Sequence, residues 1–168
     1  MKTIILPGYS PGNKDWAEAI TGKINLGHKV IVHNWRHWQT GAKNLSPKKE
    51  VETILKEIGS HKVNILAKSV GTMVAMHILL KINNQVKKII LCGIPTVSEG
   101  RKGLFQKALV GFPEDKIICF QNRKDPWATY NEVKEFMRQV NPKISVIEKP
   151  RGDHHYPYSE DFQKFIVS

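Results

Sequence analysis

Ser69 stands in the stretch Ala67-Lys68-Ser69-Val70-Gly71, between one apolar run that ends at Ala67 and a second that begins at Val70. A serine with small residues two positions to either side has the composition of a nucleophile elbow. Its hydroxyl projects from a sharp strand-to-helix turn, where strand and helix crowd so closely that only small neighbours fit. Ala67 and Gly71 meet that requirement. The same helix start offers unpaired backbone N–H groups, and that of Val70 is placed to hold a developing oxyanion. A hydroxyl alone is a weak nucleophile, so this chemistry demands a base, and the base demands an acid to orient it.

Two later segments carry such groups, in the order acid then histidine. Gln121-Asn122-Arg123-Lys124-Asp125-Pro126-Trp127 follows an apolar run, and Arg151-Gly152-Asp153-His154-His155-Tyr156 follows another. Asp125 can orient a histidine and support its imidazolium, and His154 can take the Ser69 proton and return it to a leaving group. Each role has a competitor. Asp153 is an alternative acid that more naturally shapes its own loop, His155 is an alternative base, and Asp125-Pro126 is also a common turn pair. His33 and His37 flank Trp35 and read as rim or surface residues. The His154-His155 pair lacks a third ligand at metal-binding spacing, so no metal site is expected.

These groups converge only if the intervening elements bring them to one edge. Six short β-branched-rich runs recur: Lys2 to Leu6, Lys29 to His33, Lys62 to Ala67, Lys87 to Cys92, Lys116 to Phe120 and Lys143 to Ile147. Several begin with lysine and then turn continuously apolar, as strands buried on both faces do. Helical patterns separate them. Trp16, Ile20 and Ile24 share one face, as do Val51, Ile54, Leu55 and Ile58, with Ser46-Pro47 opening that second helix and Gly59 ending it. Val70 to Ile82 is apolar around most of its circumference, as a central helix would be. Thr129 to Glu132 has capping-box spacing ahead of Val133, Phe136, Met137 and Val140. A last helix is expected to begin near Ser159 and to bury Phe162, Phe165 and Ile166, whereas Gly93 to Pro113 reads as a long, less regular excursion.

Strands alternating with helices predict right-handed crossovers and an α/β fold: a three-layer α/β/α sandwich around a mainly parallel six-stranded sheet. In such a sheet Ser69, Asp125 and His154 all lie on loops at the carboxyl ends of strands, the side where ligands bind. With 168 residues, one domain spanning 1–168 is expected.

Composition narrows the function classes. Hydrophobic residues make up 40% and charged residues 24%, a globular balance rather than a disordered one. No apolar run approaches the roughly 20 residues of a membrane helix, and the start of the chain lacks a secretory pattern, so a cytoplasmic location is the simplest expectation. Cys92 and Cys119 each sit near the end of an apolar run, as buried free thiols do. The net charge of +11 favours acidic ligands, but from Lys81 to Lys107 the basic residues are dispersed between apolar segments. With no nucleic-acid motif beside them, they read as a solvated basic face.

The chain resembles the α/β-hydrolase fold superfamily, particularly its small, lid-poor serine hydrolases of the RBBP9/YdeN type. Ile4-Ile5-Leu6-Pro7-Gly8-Tyr9 is similar to the turn after the first strand, Ala67 to Gly71 to the elbow, and Gly152-Asp153-His154 to the histidine loop. The resemblance covers nearly the whole chain. It implies a triad of Ser69, Asp125 and His154, an oxyanion hole from the N–H groups of Tyr9 and Val70, and no cofactor. It departs from the superfamily at Pro7, where a histidine is commoner, at Ala67, where a glycine is commoner, and in lacking two antiparallel strands at the start. Trp38, Phe105, Phe112 and Trp127 are candidates for lining an acyl pocket, with Gly93 to Pro113 in place of a large lid. The expected activity is hydrolysis of small esters or thioesters, or of other short acyl substrates, through an acyl-enzyme. The alternative is a non-catalytic binding protein that uses the cleft or basic surface of the same scaffold.

Overall fold

The six lysine-led runs all become strands. In a computed structural model that describes residues 1–168 they are β1 (Lys2–Leu6), β2 (Lys29–Val32), β3 (Val63–Lys68), β4 (Val86–Cys92), β5 (Ile117–Asn122) and β6 (Ser145–Lys149). They form one sheet in the order β2-β1-β3-β4-β5-β6, with every neighbouring pair parallel. β3 lies centrally and is buried along its whole length. That explains its unbroken apolar character, while the edge strands β2 and β6 are partly open.

Five helices form where periodicity places them: α1 (Asn13–Lys23), α3 (Pro47–Ile58), α4 (Val70–Ile82), α6 (Tyr130–Val140) and α7 (Ser159–Val167). Pro47 opens α3 with its fixed φ, although the Ser46 side chain makes no capping bond. The capping box of α6 is complete. The Glu132 N–H donates to Thr129 Oγ1, and the Thr129 N–H donates to Glu132 Oε2. α3, α4 and α6 cover one face of the sheet, and α1 and α7 cover the other with Trp16, Ile20, Phe162 and Ile166. Both thiols are free and buried, and burial pushes that of Cys119 up to about 12.

Two helices depart from the sequence reading. α2 (Arg36–Thr40) is a single turn or so, ended by Gly41 at φ 69°. α5 (Glu99–Leu109) occupies most of the stretch read as irregular, and Ser98 caps it by accepting the Arg101 N–H. α5 is the crossover from β4 to β5. It packs beside α4 and α6, driving Phe105 into the core edge-on to Phe136 at 5.3 Å.

Candidate active site

β3 ends at Lys68 and α4 begins at Val70, so the whole reversal falls on Ser69. Its φ is 56° and ψ −123°, and it is the single non-glycine residue with positive φ. Such a conformation costs on the order of 1–3 kcal/mol and persists only where its surroundings hold it. Here the Ser69 N–H donates to the Cys92 carbonyl at 3.0 Å, and the Ser69 carbonyl accepts from the Thr72 N–H and hydroxyl at 2.9 and 2.6 Å. The close approach also dictates Gly71: a Cβ there would lie 2.3 Å from the Leu6 carbonyl oxygen.

From the end of β5, Asp125 turns inward until it is 2% exposed. Its Oδ2 accepts from His154 Nδ1 and from the Tyr156 hydroxyl, both at 2.6 Å, and its Oδ1 accepts from the Trp127 N–H at 2.9 Å. Burial alone would raise the carboxyl, but those donors outweigh it and hold Asp125 below its ordinary value, hence ionised. A carboxylate only accepts, so Nδ1 of His154 is the donor and Nε2 is the nitrogen left to take a proton. That Nε2 is buried and makes no hydrogen bond. Ser69 and His154 both approach the end of β4, at adjacent residues. The Ser69 N–H is tied to the Cys92 carbonyl, and a Cβ on the next residue, Gly93 at φ 61°, would lie 3.0 Å from His154 Cε1. The serine–histidine hydrogen bond itself is not made, and contacts of this kind tighten when substrate binds.

Tyr156 and Asn122 belong to this site, and sequence reasoning passed over both. Asn122 staples the histidine loop to β5, its Nδ2 donating to the Asp153 and His155 carbonyls at 2.8 Å each. Its Oδ1 accepts from Tyr158, and its N–H donates to the Tyr156 hydroxyl. The available signal was a pair of amides, Gln121-Asn122, fully buried at the end of an apolar strand. The competing groups take other roles: Asp153 pairs with Arg151 and accepts the His155 N–H, and the His155 side chain is exposed.

The loop after β1 is held from both sides. Trp35 Nε1 donates to the Gly8 carbonyl at 3.0 Å, and His37 Nε2 and Trp38 Nε1 donate to the Tyr9 carbonyl at 2.8 and 2.7 Å. The Tyr9 ring stacks on His37 at 4.4 Å. On the other side Lys68 is 5% exposed and donates to Asn13 Oδ1, while Asn13 Nδ2 donates to Ser10 Oγ at 2.8 Å. Asn13 packs so tightly beneath Gly8 that a Cβ there would lie 2.5 Å from its Oδ1. Lys68 is therefore shielded from open solvent; burial lowers its pKa, and it braces the loop with its ammonium over the Trp16 ring, 5.3 Å from the centroid. The N–H groups of Tyr9 and Val70 make no turn, loop or cap hydrogen bond.

The pocket expectation needs correcting at two residues. Phe105 is fully buried in the core beneath α5. Phe112 lies at the opposite edge of the sheet beside Val86 and Lys116, near where β4 and β5 begin. Both follow from α5 being a crossover helix instead of a loop over the site. Trp38 is half-buried beside Tyr9, and Trp127, 66% exposed, approaches His154 edge-on at 6.4 Å. The cleft between α5 and α6, about 660 Å³, contains none of Ser69, Asp125 and His154. His33 and His37 are also corrected: both are buried, not surface residues. No grouping of His, Cys, Asp and Glu is arranged to hold a metal ion.

No family model matches the sequence, and no curated protein matches it. Solved structures do. Alpha/beta hydrolase domain-containing protein 10 from mouse is similar at a TM-score of 0.69 and 14% identity, over 99% of this chain and 86% of that one. XC6422 from Xanthomonas campestris, described as an α/β serine hydrolase without lid, gives 0.69 and 14% over 97% and 77%. The ydeN gene product of B. subtilis gives 0.65 and 13% over 99% of both chains. The chain has the α/β-hydrolase fold.

Proposed function

We propose that this α/β-hydrolase-fold chain is a serine hydrolase that cleaves small carboxylic esters or thioesters through an acyl-enzyme. The observation that carries the reading is Ser69. A strained, positive-φ serine at a strand-to-helix turn has no structural reason to exist where a glycine would be unstrained. Its N–H is tied to the Cys92 carbonyl, next to Gly93, which packs against His154, a histidine whose Nδ1 is held by a buried carboxylate and whose Nε2 is free.

In this mechanism Ser69 Oγ attacks the acyl carbon as its proton passes to His154 Nε2. The carbonyl oxygen becomes an oxyanion, held by the N–H groups of Tyr9 and Val70. Collapse breaks the bond to the alcohol or thiol, which leaves with the proton from His154. Water then attacks the acyl-enzyme with His154 again as base, releasing the acid and restoring Ser69. Asp125 stays ionised throughout and supports the imidazolium. No cofactor enters. Trp38 and Trp127 flank the proposed site as candidate acyl contacts.

A cytoplasmic location is part of the proposal, supported by two free thiols and by the lack of any helix long and apolar enough to cross a membrane. The test is turnover of a short-chain p-nitrophenyl ester by the Ser69→Ala variant. The reading expects a loss of about 10³-fold or more, and wild-type turnover by the variant would refute it.

A further inference from the structure

The net charge of +11 is not spread evenly, and the fold explains where it goes. In an all-parallel sheet every strand starts at the same edge. Lysines at or beside those starts therefore form a row: in sheet order Lys29, Lys2, Lys62, Lys87, Lys116 and Lys143. Lys2 pairs directly with Lys29. With strands about 4.8 Å apart, the row is about 24 Å long. The crossover helices return to this same amino edge, and α1, α3, α4, α5 and α7 each carry a lysine in the last turn. Acids gather at the helix starts instead, on the edge that holds Ser69.

Part of this pattern is structural. Lys2 donates to the Glu57 and Ile58 carbonyls at the end of α3, Lys62 to the Asn84 carbonyl after α4, and Lys88 to the Phe165 carbonyl in α7. These ammonium groups satisfy helix C-termini, where a cation is favoured. Lys116 and Lys143 are matched by Asp115 and Glu114. That account does not reach Lys29 and Lys87, which are exposed and form no ion pair or side-chain hydrogen bond, nor the exposed lysines that end the five helices. The amino edge keeps a broad excess of unmatched ammonium groups.

We infer that the amino edge of the sheet is a docking surface for an anionic lipid bilayer. Lysines acting as separate point charges suit a diffuse layer of lipid phosphates and carboxylates. The same edge presents two aliphatic side chains to solvent, Val110 at 77% and Val167 at 62% exposure. Single-stranded nucleic acid would want aromatic faces for its bases, and the strongly exposed aromatics, Tyr9 and Trp127, both lie on the opposite edge. Docked this way, the edge bearing Ser69 faces water. The inference does not depend on the hydrolase reading.

The test is co-sedimentation of the full chain with vesicles, comparing pure phosphatidylcholine with phosphatidylcholine containing about one-third phosphatidylserine, near 0.1 M salt. Binding is expected only with the anionic vesicles, and it should be lost near about 0.5 M salt. Lys29→Glu with Lys87→Glu should weaken it at least about tenfold. Lys48→Glu with Lys49→Glu, the same charge change in the first turn of α3, should leave it nearly intact, and thermal melts of both variants verify folding. Three results would overturn the inference: no binding of the wild-type chain to anionic vesicles, equal losses in the two double variants, or Lys29- and Lys87-dependent binding that is tighter to a single-stranded RNA oligonucleotide than to the vesicles.

Discussion

Two histidines in this molecule are held by buried carboxylates, Glu50 and Asp125, and they are built for opposite ends. His33 donates through both ring nitrogens, Nε2 to Glu50 at 2.9 Å and Nδ1 to Glu57 at 3.1 Å, and is 1% exposed. His154 gives only Nδ1, to Asp125 at 2.6 Å, and keeps Nε2 unpartnered. Burial opposes charge on His33, but the hydrogen bonds to Glu57 and Glu50 outweigh it and raise its pKa. Both of its ring nitrogens are engaged by carboxylates, so neither is left open to a substrate. Its partner Glu50 also accepts the Arg36 N–H, so the cluster ties β2, α2 and α3 together. A carboxylate beside a histidine thus says little by itself. The occupancy of the second nitrogen separates a structural lock from a base able to take a proton.

Removing each histidine in turn is the strongest way to break this contrast. His154→Ala should lower kcat/KM for a short ester by about 10⁴-fold or more with a near wild-type melt. His33→Gln should leave kcat within about tenfold and cost about 3 kcal/mol of stability, since it strands two carboxylates, one of them fully buried. Equal activity losses in both variants would erase the distinction. Asp125→Asn follows in size. It keeps the shape but favours the wrong tautomer of His154, and should cost about 10³- to 10⁴-fold in kcat. A loss below about tenfold would shift the acid role away from Asp125.

The smallest effect sharpens the contrast through pH. The folded pKa of His33 lies above its ordinary 6.5, so its contribution to stability is complete below about 6.5 and is lost as pH rises through the raised value. The wild-type melting temperature should therefore fall as pH is raised above about 6.5, and His33→Gln should flatten that fall. An unchanged slope in the variant would mean that His33 is not the charged centre of its cluster.

Much of the frame was legible in the sequence, for identifiable reasons. Unbroken β-branched runs marked strands buried on both faces, and α4 matches Val70 to Ile82 because Ser69 and Gly71 leave the turn nowhere else to fall. Asp125 and His154, 29 residues apart, could be paired because parallel strands deliver their following loops to one edge, in the order acid then histidine, and because the family resemblance implies the same pair. α5 was missed because Gly100, Gly103 and interspersed basic residues hide the few apolar positions that bury it, so Phe105 was assigned to a pocket when it belongs to the core. The His33 cluster was missed for a different reason. Glu50 and Glu57, seven residues apart, share a face of α3, but nothing local couples them to a histidine on β2's far end. Likewise Tyr156 and Asn122 act through contacts across 34 residues that no spacing announces.

The central claim is that Ser69 is a nucleophile activated by His154, and covalent labelling tests it most directly. A fluorophosphonate probe should modify the folded wild-type chain once, with the mass increment mapped to Ser69. His33→Gln should label as fast as wild type, and His154→Ala much more slowly. No adduct on the folded protein, an adduct on another residue, or labelling indifferent to His154 would contradict the account.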